Sequence, residues 1–570
     1  MKPLDPFHIN LEKTTLIEAS AGTGKTYTIT TLYCRLVANG YPVESILVVT
    51  FTEAAAAELK LRIRTRLFNT LVNLLEQSND TEDDLANFFK DHENLPQICQ
   101  RLQLALTCFD QTSIMTIHSF CLKILKENAF ESHSLFDIEL MPDRSLFLRQ
   151  VSFDFFMSHV NHLDTLFLSY LSRQKITPES FAVSFGPFVS RSDLLCRPSA
   201  AGFENIFDPY RETLKKIHDI LLTRDKEIIE LIQNHKGIEK RSYTKKNVPA
   251  WLKDSCRKID EQGMNTFFKM TEDGDALYKF SQTRIDLKTK SGQTPPLHEF
   301  FDLCELLHSF YHQFENNLIS LKIKFLAFFN KELEKMKKAQ GICFFDDLVN
   351  DLAKALEKPI EKNNALYLQK AVRKTYKACL IDEFQDTDPK QYDIFSKLFS
   401  SQGTPFFMIG DPKQAIYAFR GGDIFAYLKA SKDSEQKFTL EKNYRSAPLL
   451  VKGINGVFSD TTNPFLYNTI EFSKVKTPKA ANNSLIFNKE VVPPLQFCFI
   501  QRAGQALDRQ GFISKETATG IIPKACATDI LSLLQSDKQL INKNNKSPQN
   551  ISPEDIAVLV RTNKQAEQIQ

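Results

Sequence analysis

Thr14-Thr15-Leu16-Ile17-Glu18-Ala19-Ser20-Ala21-Gly22-Thr23-Gly24-Lys25-Thr26 decides the fold. Thr14 to Glu18 reads as a short buried strand. The glycine-containing turn after it opens a helix expected from Lys25 to Ala38. Strand, glycine turn and helix in that order make a phosphate cradle. Backbone N–H groups from Ala19, Ser20, Ala21, Gly22, Thr23 and Gly24 and the helix N-terminus face the anion, Lys25 reaches β- and γ-phosphates, and the Thr26 hydroxyl holds Mg²⁺. Ala19 stands where the general pattern has glycine.

Working outward, Ile46-Leu47-Val48-Val49-Thr50 is a second strand, and Glu53 to Leu67 is strongly helical in composition. Alternating strands and helices imply a parallel sheet with crossovers. Asn79 to Asp84 reads as an acidic surface loop. From Asp143 to Ala339 strand signals fade and helical periodicity dominates, as in Leu297 to Leu333, so an inserted helical domain is expected there. Strands return at Ala378 to Ile381 and Phe406 to Ile409, each followed within two residues by an acidic one. The expected domains are therefore 1–142 (first part of an α/β P-loop motor domain), 143–339 (helical insertion), 340–435 (motor domain resumed) and 436–570 (a further domain, incomplete). In the last, Ile541 to Ser552 is a polar loop and Asp555 to Val560 a buried strand at which the chain stops.

A hydrolysing phosphate loop needs a carboxylate at the end of a neighbouring strand. Asp382 supplies one for Mg²⁺, and Glu383 beside it can orient and deprotonate water.

Composition sets the outer bounds. A chain of 570 residues with 42% apolar and 25% charged residues is globular and excludes a small disulfide-stapled fold. A net charge of +3 places any nucleic-acid contact in local patches. The 11 cysteines form no C-x-x-C pair and no cluster at metal-ligand spacing, and no leader or long apolar run is visible, so a cytoplasmic protein without membrane contact is expected. Lys236 to Lys258 carries eight basic against two acidic residues around Tyr243 and Trp251, either a solvated face or a contact to duplex backbone.

Five further runs carry a resemblance. Thr50-Phe51-Thr52, Thr116 to Phe120, Ile381 to Thr387, Gly410 to Gly421 and Asn443 to Ser446 resemble, in order, the motifs of the UvrD-like superfamily 1 DNA helicases. Within these, LIEASAGTGKTYTI (16–29), VVTFTEAAAAELKLRIR (48–64), LIDEFQDTDPKQY (380–392) and IGDPKQAIYAFRGGDI (409–424) are similar to the RecB-type beta subunits of exodeoxyribonuclease V. The resemblance implies RecA-like motor domains, the second one only begun, and ATP with Mg²⁺. It implies 3′ to 5′ helicase and translocase activity on single-stranded and duplex-end DNA, and gamma and alpha subunits as partners in double-strand-break repair and recombination. By it Gln414 senses the γ-phosphate and Arg445 touches it. Tyr444 stacks on adenine. Phe51, Thr116, His118, Tyr417, Phe419 and Arg420 lie along the DNA, with Phe51 and Phe419 as base platforms.

Against the family pattern, no Gln precedes the phosphate loop, leaving Glu12 as the nearby polar candidate, and the chain ends before the later helicase motifs and any nuclease domain. Two other readings stay open: a catalytically silent fragment that binds nucleotide, DNA or partner subunits, and a stand-alone repair helicase.

Overall fold

Ile46 to Thr50 is apolar at almost every position, which leaves no face for water. The computed structural model buries the whole run inside a parallel sheet. The structure describes residues 1–76, 83–132, 139–141, 143–188, 197, 202–357, 364–401, 403–417, 422–459, 461–465, 467–478, 484–488, 490–541 and 548–570. They fall into two compact units, Met1–Phe136 with Leu348–Gln570, and Asp137–Asp347.

In chain order the strands are β1 (Lys2–Pro3), β2 (Thr14–Ala19), β3 (Ile46–Thr50), β4 (Ser113–Thr116), β5 (Glu139–Leu140), β6 (Ile342–Cys343), β7 (Ala378–Ile381), β8 (Phe406–Gly410) and β9 (Gln436–Leu440). The first unit orders seven of them as β1-β9-β2-β8-β7-β3-β4, every neighbouring pair parallel. All carboxyl ends therefore share one edge. In an open parallel sheet, that edge is where ligands bind.

Helix α1 (Lys25–Ala38) starts at Gly24, whose φ of 97° ends the phosphate turn. Helix α2 (Glu53–Leu75) begins at Thr52, whose side chain accepts from Ala55 N. It runs past the expected end at Leu67 because its buried stripe, Leu59, Ile63, Leu67, Leu71 and Leu74, keeps helical spacing.

The acidic loop expected at Asn79 to Asp84 is corrected where it is described. Asp83 is buried, caps the helix Asp84–Lys90, accepts from Thr70 Oγ1 at 3.0 Å and pairs with Arg66 at 3.2 Å. Residues 79–82 lie outside the described residues.

After β9 the chain forms a four-stranded sheet, β11-β10-β12-β13, from β10 (Ser484–Phe487), β11 (Glu490–Val491), β12 (Gln539–Ile541) and β13 (Gln549–Asn550), all antiparallel. Between β11 and β12 runs the exposed helix Lys515–Leu534. The strand expected at Asp555 to Val560 is absent. Pro553–Asp555 is a 3₁₀ turn, Leu559 is 96% exposed, and no described strand pairs with the segment. An apolar run without a ladder partner does not become a strand.

The second unit is helical apart from the short parallel pair β5–β6. Its longest element, Glu299–Gln340, has 42 residues, is capped by the His298 side chain at Phe300 N and ends at Gly341. Phe314, on this helix, is fully buried and meets the rings of Phe167, Tyr170, Phe207, Tyr210 and Phe267. No helix among the described residues is long and apolar enough to cross a membrane.

Candidate functional site

In the parallel sheet, β2, β3, β4, β7, β8 and β9 are each followed at the carboxyl edge by expected site residues. β2 hands over to Ser20–Gly24, where Thr23 donates through N and Oγ1 to Ser20 O. Gly22 has a φ of 76°, and a Cβ there would lie 2.7 Å from Arg445 Cβ and 2.9 Å from Asn443 Oδ1. Only glycine fits that approach. The loop after β9 grips the phosphate loop by its backbone: Asn443 Nδ2 donates to Ala21 O at 2.9 Å, and Tyr444 N donates to Gly22 O at 2.8 Å. Asn443 Oδ1 also accepts from Arg445 N and Ser446 N, which orders the turn carrying both expected nucleotide contacts. The Tyr444 side chain is exposed, as a stacking face requires.

β7 ends at Asp382 and Glu383. Lys25 Nζ meets Glu383 Oε2 at 2.5 Å. Glu383 sits at a φ of 50°, a left-handed conformation that a non-glycine residue adopts at a cost of ~1–3 kcal/mol and that turns its carboxylate toward the lysine. Burial first, then the Glu383 charge, push the Asp382 carboxyl up to about 6 against the pull of Lys25. The same causes in the same order push Asp386 up to about 6, and its buried Oδ1 has no hydrogen-bond partner.

A polar relay crosses from β7 to β8. Gln385 Nε2 donates to Glu383 Oε2 at 2.7 Å, while its Oε1 accepts from Asp411 N at 3.0 Å. Gln414 Nε2 then donates to Asp411 Oδ2 at 2.8 Å. Gly410 is needed here, since a Cβ would lie 2.5 Å from Gln385 Oε1. Lys413 pairs with Glu18 and, at 2.8 Å, with Asp411. Burial acts to lower its pKa, but the two carboxylates outweigh burial and raise it.

Three residues past Gln414, Tyr417 stacks on Phe51 from the end of β3, with ring centroids 5.4 Å apart and planes inclined 23°. The structure thus joins two of the expected DNA residues, 366 positions apart in the chain. Thr116 is the N-cap of the helix Ile117–Glu127, accepting from Ser119 N. Its hydroxyl donates to Glu53 Oε1 at 2.9 Å, so Thr116 has a structural task of its own. His118, one residue into that helix, is half-buried. Phe419 and Arg420 lie outside the described residues. Glu12 is exposed and precedes β2, a strand's length of roughly 20 Å from the phosphate loop, so the structure does not bring it to that loop.

Sequence reasoning missed Asn443, Gln385, Asp411, Lys413 and Glu53 as site residues. All five stand inside the quoted motif runs, but their partners come from other segments of the chain.

Thr26 and Asp382 offer hard oxygen donors of the kind Mg²⁺ takes, and two buried carboxylates beside the single lysine Lys25 leave negative charge to be met by a cation. The donor set fits the ion.

A family model described as the UvrD/REP helicase N-terminal domain matches residues 5–435. The chain is 32% identical over 585 residues to the RecBCD enzyme subunit RecB of Escherichia coli (strain K12), covering 99% of this chain and 48% of that protein. It is also 32% identical over 622 residues to the RecBCD enzyme subunit RecB of Haemophilus influenzae, covering 99% and 49%. The protein of the same name from Mycolicibacterium smegmatis is 28% identical over 448 residues, covering 78% and 29%. The chain spans about half the length of the first two of these curated relatives.

Proposed function

The chain belongs to the UvrD/REP helicase N-terminal domain family, and on that footing we propose that it is an ATP-driven DNA translocase that moves 3′ to 5′ as part of a RecB-like helicase–nuclease subunit. Its substrates in this reading are single-stranded DNA and duplex ends under double-strand-break repair and recombination, in the cytoplasm. Its partners correspond to the gamma and alpha subunits of exodeoxyribonuclease V, because the relatives' name makes them subunits of a complex.

The observation that carries the reading is the relay Lys25–Glu383–Gln385–Asp411–Gln414, which leads along the carboxyl edge to the Tyr417–Phe51 stack. Without nucleotide, Lys25 neutralises Glu383. Phosphate oxygens arriving in the loop draw Lys25 to themselves, and Glu383 is freed to take a proton from water held against the γ-phosphate. Movement of Glu383 releases the hydrogen bond from Gln385 Nε2, and the shift of Gln385 reaches Asp411 through Gln385 Oε1 and Gln414 through Asp411 Oδ2. Tyr417, on the same loop, then shifts against Phe51, where bases of a single strand stack. Tyr444 lies against adenine, and Arg445 meets the charge that builds on the γ-phosphate. Thr26 and Asp382 would hold Mg²⁺, which when bound would neutralise negative charge on the phosphates.

Steady-state ATP hydrolysis by the purified chain, with and without single-stranded DNA and beside a Lys25→Ala control, tests this. Stimulation by DNA that vanishes in the control is the expected result. Nucleotide binding without DNA-stimulated turnover would sink the motor reading for this chain and leave a nucleotide-binding piece of a larger subunit.

A further inference from the structure

The second unit holds the one group among the described residues in which three metal-ligating side chains converge. His218 comes from the helix Phe207–Thr223, and Cys256 and Asp260 from one face of the helix Asn247–Gln262, one turn apart. Their ligand atoms all lie within 4.8 Å of one another. His218 Nε2 is 2.8 Å from Asp260 Oδ1, and Cys256 Sγ is 3.7 Å from Asp260 Oδ2. The His218 side chain is only 16% exposed, while Asp260 opens the group to solvent at 55%. An ion could enter from that side.

Charge supports the same conclusion. Two basic residues beside Cys256 in the chain are held by other carboxylates: Arg257 pairs with Asp254 at 2.8 Å, and Lys258 with Asp254 at 3.0 Å and Asp275 at 2.9 Å. Among the described residues Asp260 has an ion pair with His218 alone. Burial first, then the Asp260 carboxylate, push the Cys256 thiol up. A carboxylate, a thiol and an imidazole thus meet in one group.

We propose that His218, Cys256 and Asp260 bind a divalent transition-metal ion of the Zn²⁺ class, with water as fourth ligand, clamping the helices Phe207–Thr223 and Asn247–Gln262 together. One nitrogen, one sulfur and oxygen is a donor set for Zn²⁺ or Co²⁺ and a poor one for Mg²⁺. Tetrahedral ligands at about 2.0–2.3 Å from an ion stand roughly 3.3–4 Å apart, so the widest pair closes by about 1 Å, within reach of side-chain torsions. On binding, the Cys256 S–H proton leaves to solvent and the sulfur bonds the ion; no electron moves. The spacing is invisible in the chain, because Cys256 and Asp260 read as an ordinary i, i+4 helix pair and His218 lies 42 positions before Asp260.

The test uses Co²⁺ as probe on the metal-free 570-residue chain. A thiolate-to-cobalt charge-transfer band that saturates at one equivalent, and that Zn²⁺ abolishes, is the expected result. Ions held by the oxygen donors of the phosphate site give no such band. Cys256→Ser is expected to lose the band, and His218→Gln to weaken binding at least about tenfold. A Cys498→Ser/Cys526→Ser variant, which removes thiols far along the chain, is expected to keep the band unchanged. Absence of a band in the parent chain overturns the proposal, as does a band that survives Cys256→Ser. If Cys256→Ser does not fold, His218→Gln decides: unweakened binding overturns the site.

Discussion

The two units are filled with different proportions of rings. In the first, the core is mixed: Leu16, Ile17, Val48, Leu380 and Ile409 lie beside Phe406 and Phe407 on the strands, and Phe120 stacks on Phe395 among the helices. In the second, rings fill the space between helices: Phe155 meets Phe156, Phe325 and Phe328, and Phe314 is ringed by five aromatic residues. Of the 46 phenylalanines, 22 lie in the 211 residues of the helical unit and 24 in the other 359, so rings are denser in the helical unit. The first unit sets polar groups along a strand edge where backbone geometry places them, and the second packs its rings between helices.

Four substitutions test that division, from the largest effect down. Glu383→Gln keeps the shape of the β7 turn and removes the base, so kcat for ATP should fall by ~10²–10⁴ while nucleotide still binds. Phosphate release and nucleotide affinity measured together check it; turnover within a few-fold of the parent would remove Glu383 from the chemistry. Phe314→Ala should cost ~3–5 kcal/mol of stability, read as a lowered denaturant midpoint, with nucleotide affinity unchanged. A loss of nucleotide affinity in a variant that remains folded would break the division between the units. Phe51→Ala should cost ~1–3 kcal/mol in single-stranded DNA affinity with basal ATP hydrolysis intact, and equal binding by both proteins would rule out the stacking role. Asn443→Ala removes the hydrogen bond to Ala21 O and the acceptor for Arg445 N and Ser446 N, and should cost ~1 kcal/mol of stability and raise the Kd for nucleotide. A thermal melt with and without nucleotide reads both.

The motor unit was legible because its signals are local. Helix α1 at Lys25–Ala38, β3 at Ile46–Thr50 and β7 at Ala378–Ile381 match their expected bounds, since glycine turns and unbroken apolar runs delimit them. Partners contributed by distant segments were not legible. Asp83 looks like part of a solvated acidic loop until Arg66 and Thr70 of α2 are seen beside it. Tyr243 and Trp251 sit in a basic run that could face DNA. In the structure Tyr243 is buried and donates to Lys279 O, and Trp251 packs against Phe280 and lies 4.1 Å from Lys279 Nζ, so neither offers an open face for a base. Thr116, expected along the strand of DNA, is engaged by Glu53, from a helix that starts 63 positions earlier.

The strand order also sets a timetable for synthesis. β2, which carries the phosphate loop, is flanked by β8 and β9, and its Thr15 stands beside Gln436, 421 positions further along. A ribosome adding roughly 5–20 residues per second needs roughly 20–85 s to supply that neighbour. Until β8 is made β2 is an apolar strand with two unpaired edges, and until β9 follows it keeps one, the condition in which nascent chains aggregate. The helical unit, whose contacts close within the interval Asp137–Asp347, is complete before the ribosome reaches β7. The nucleotide pocket is therefore among the last parts of the motor unit to assemble, and chaperone demand falls on its first twenty residues.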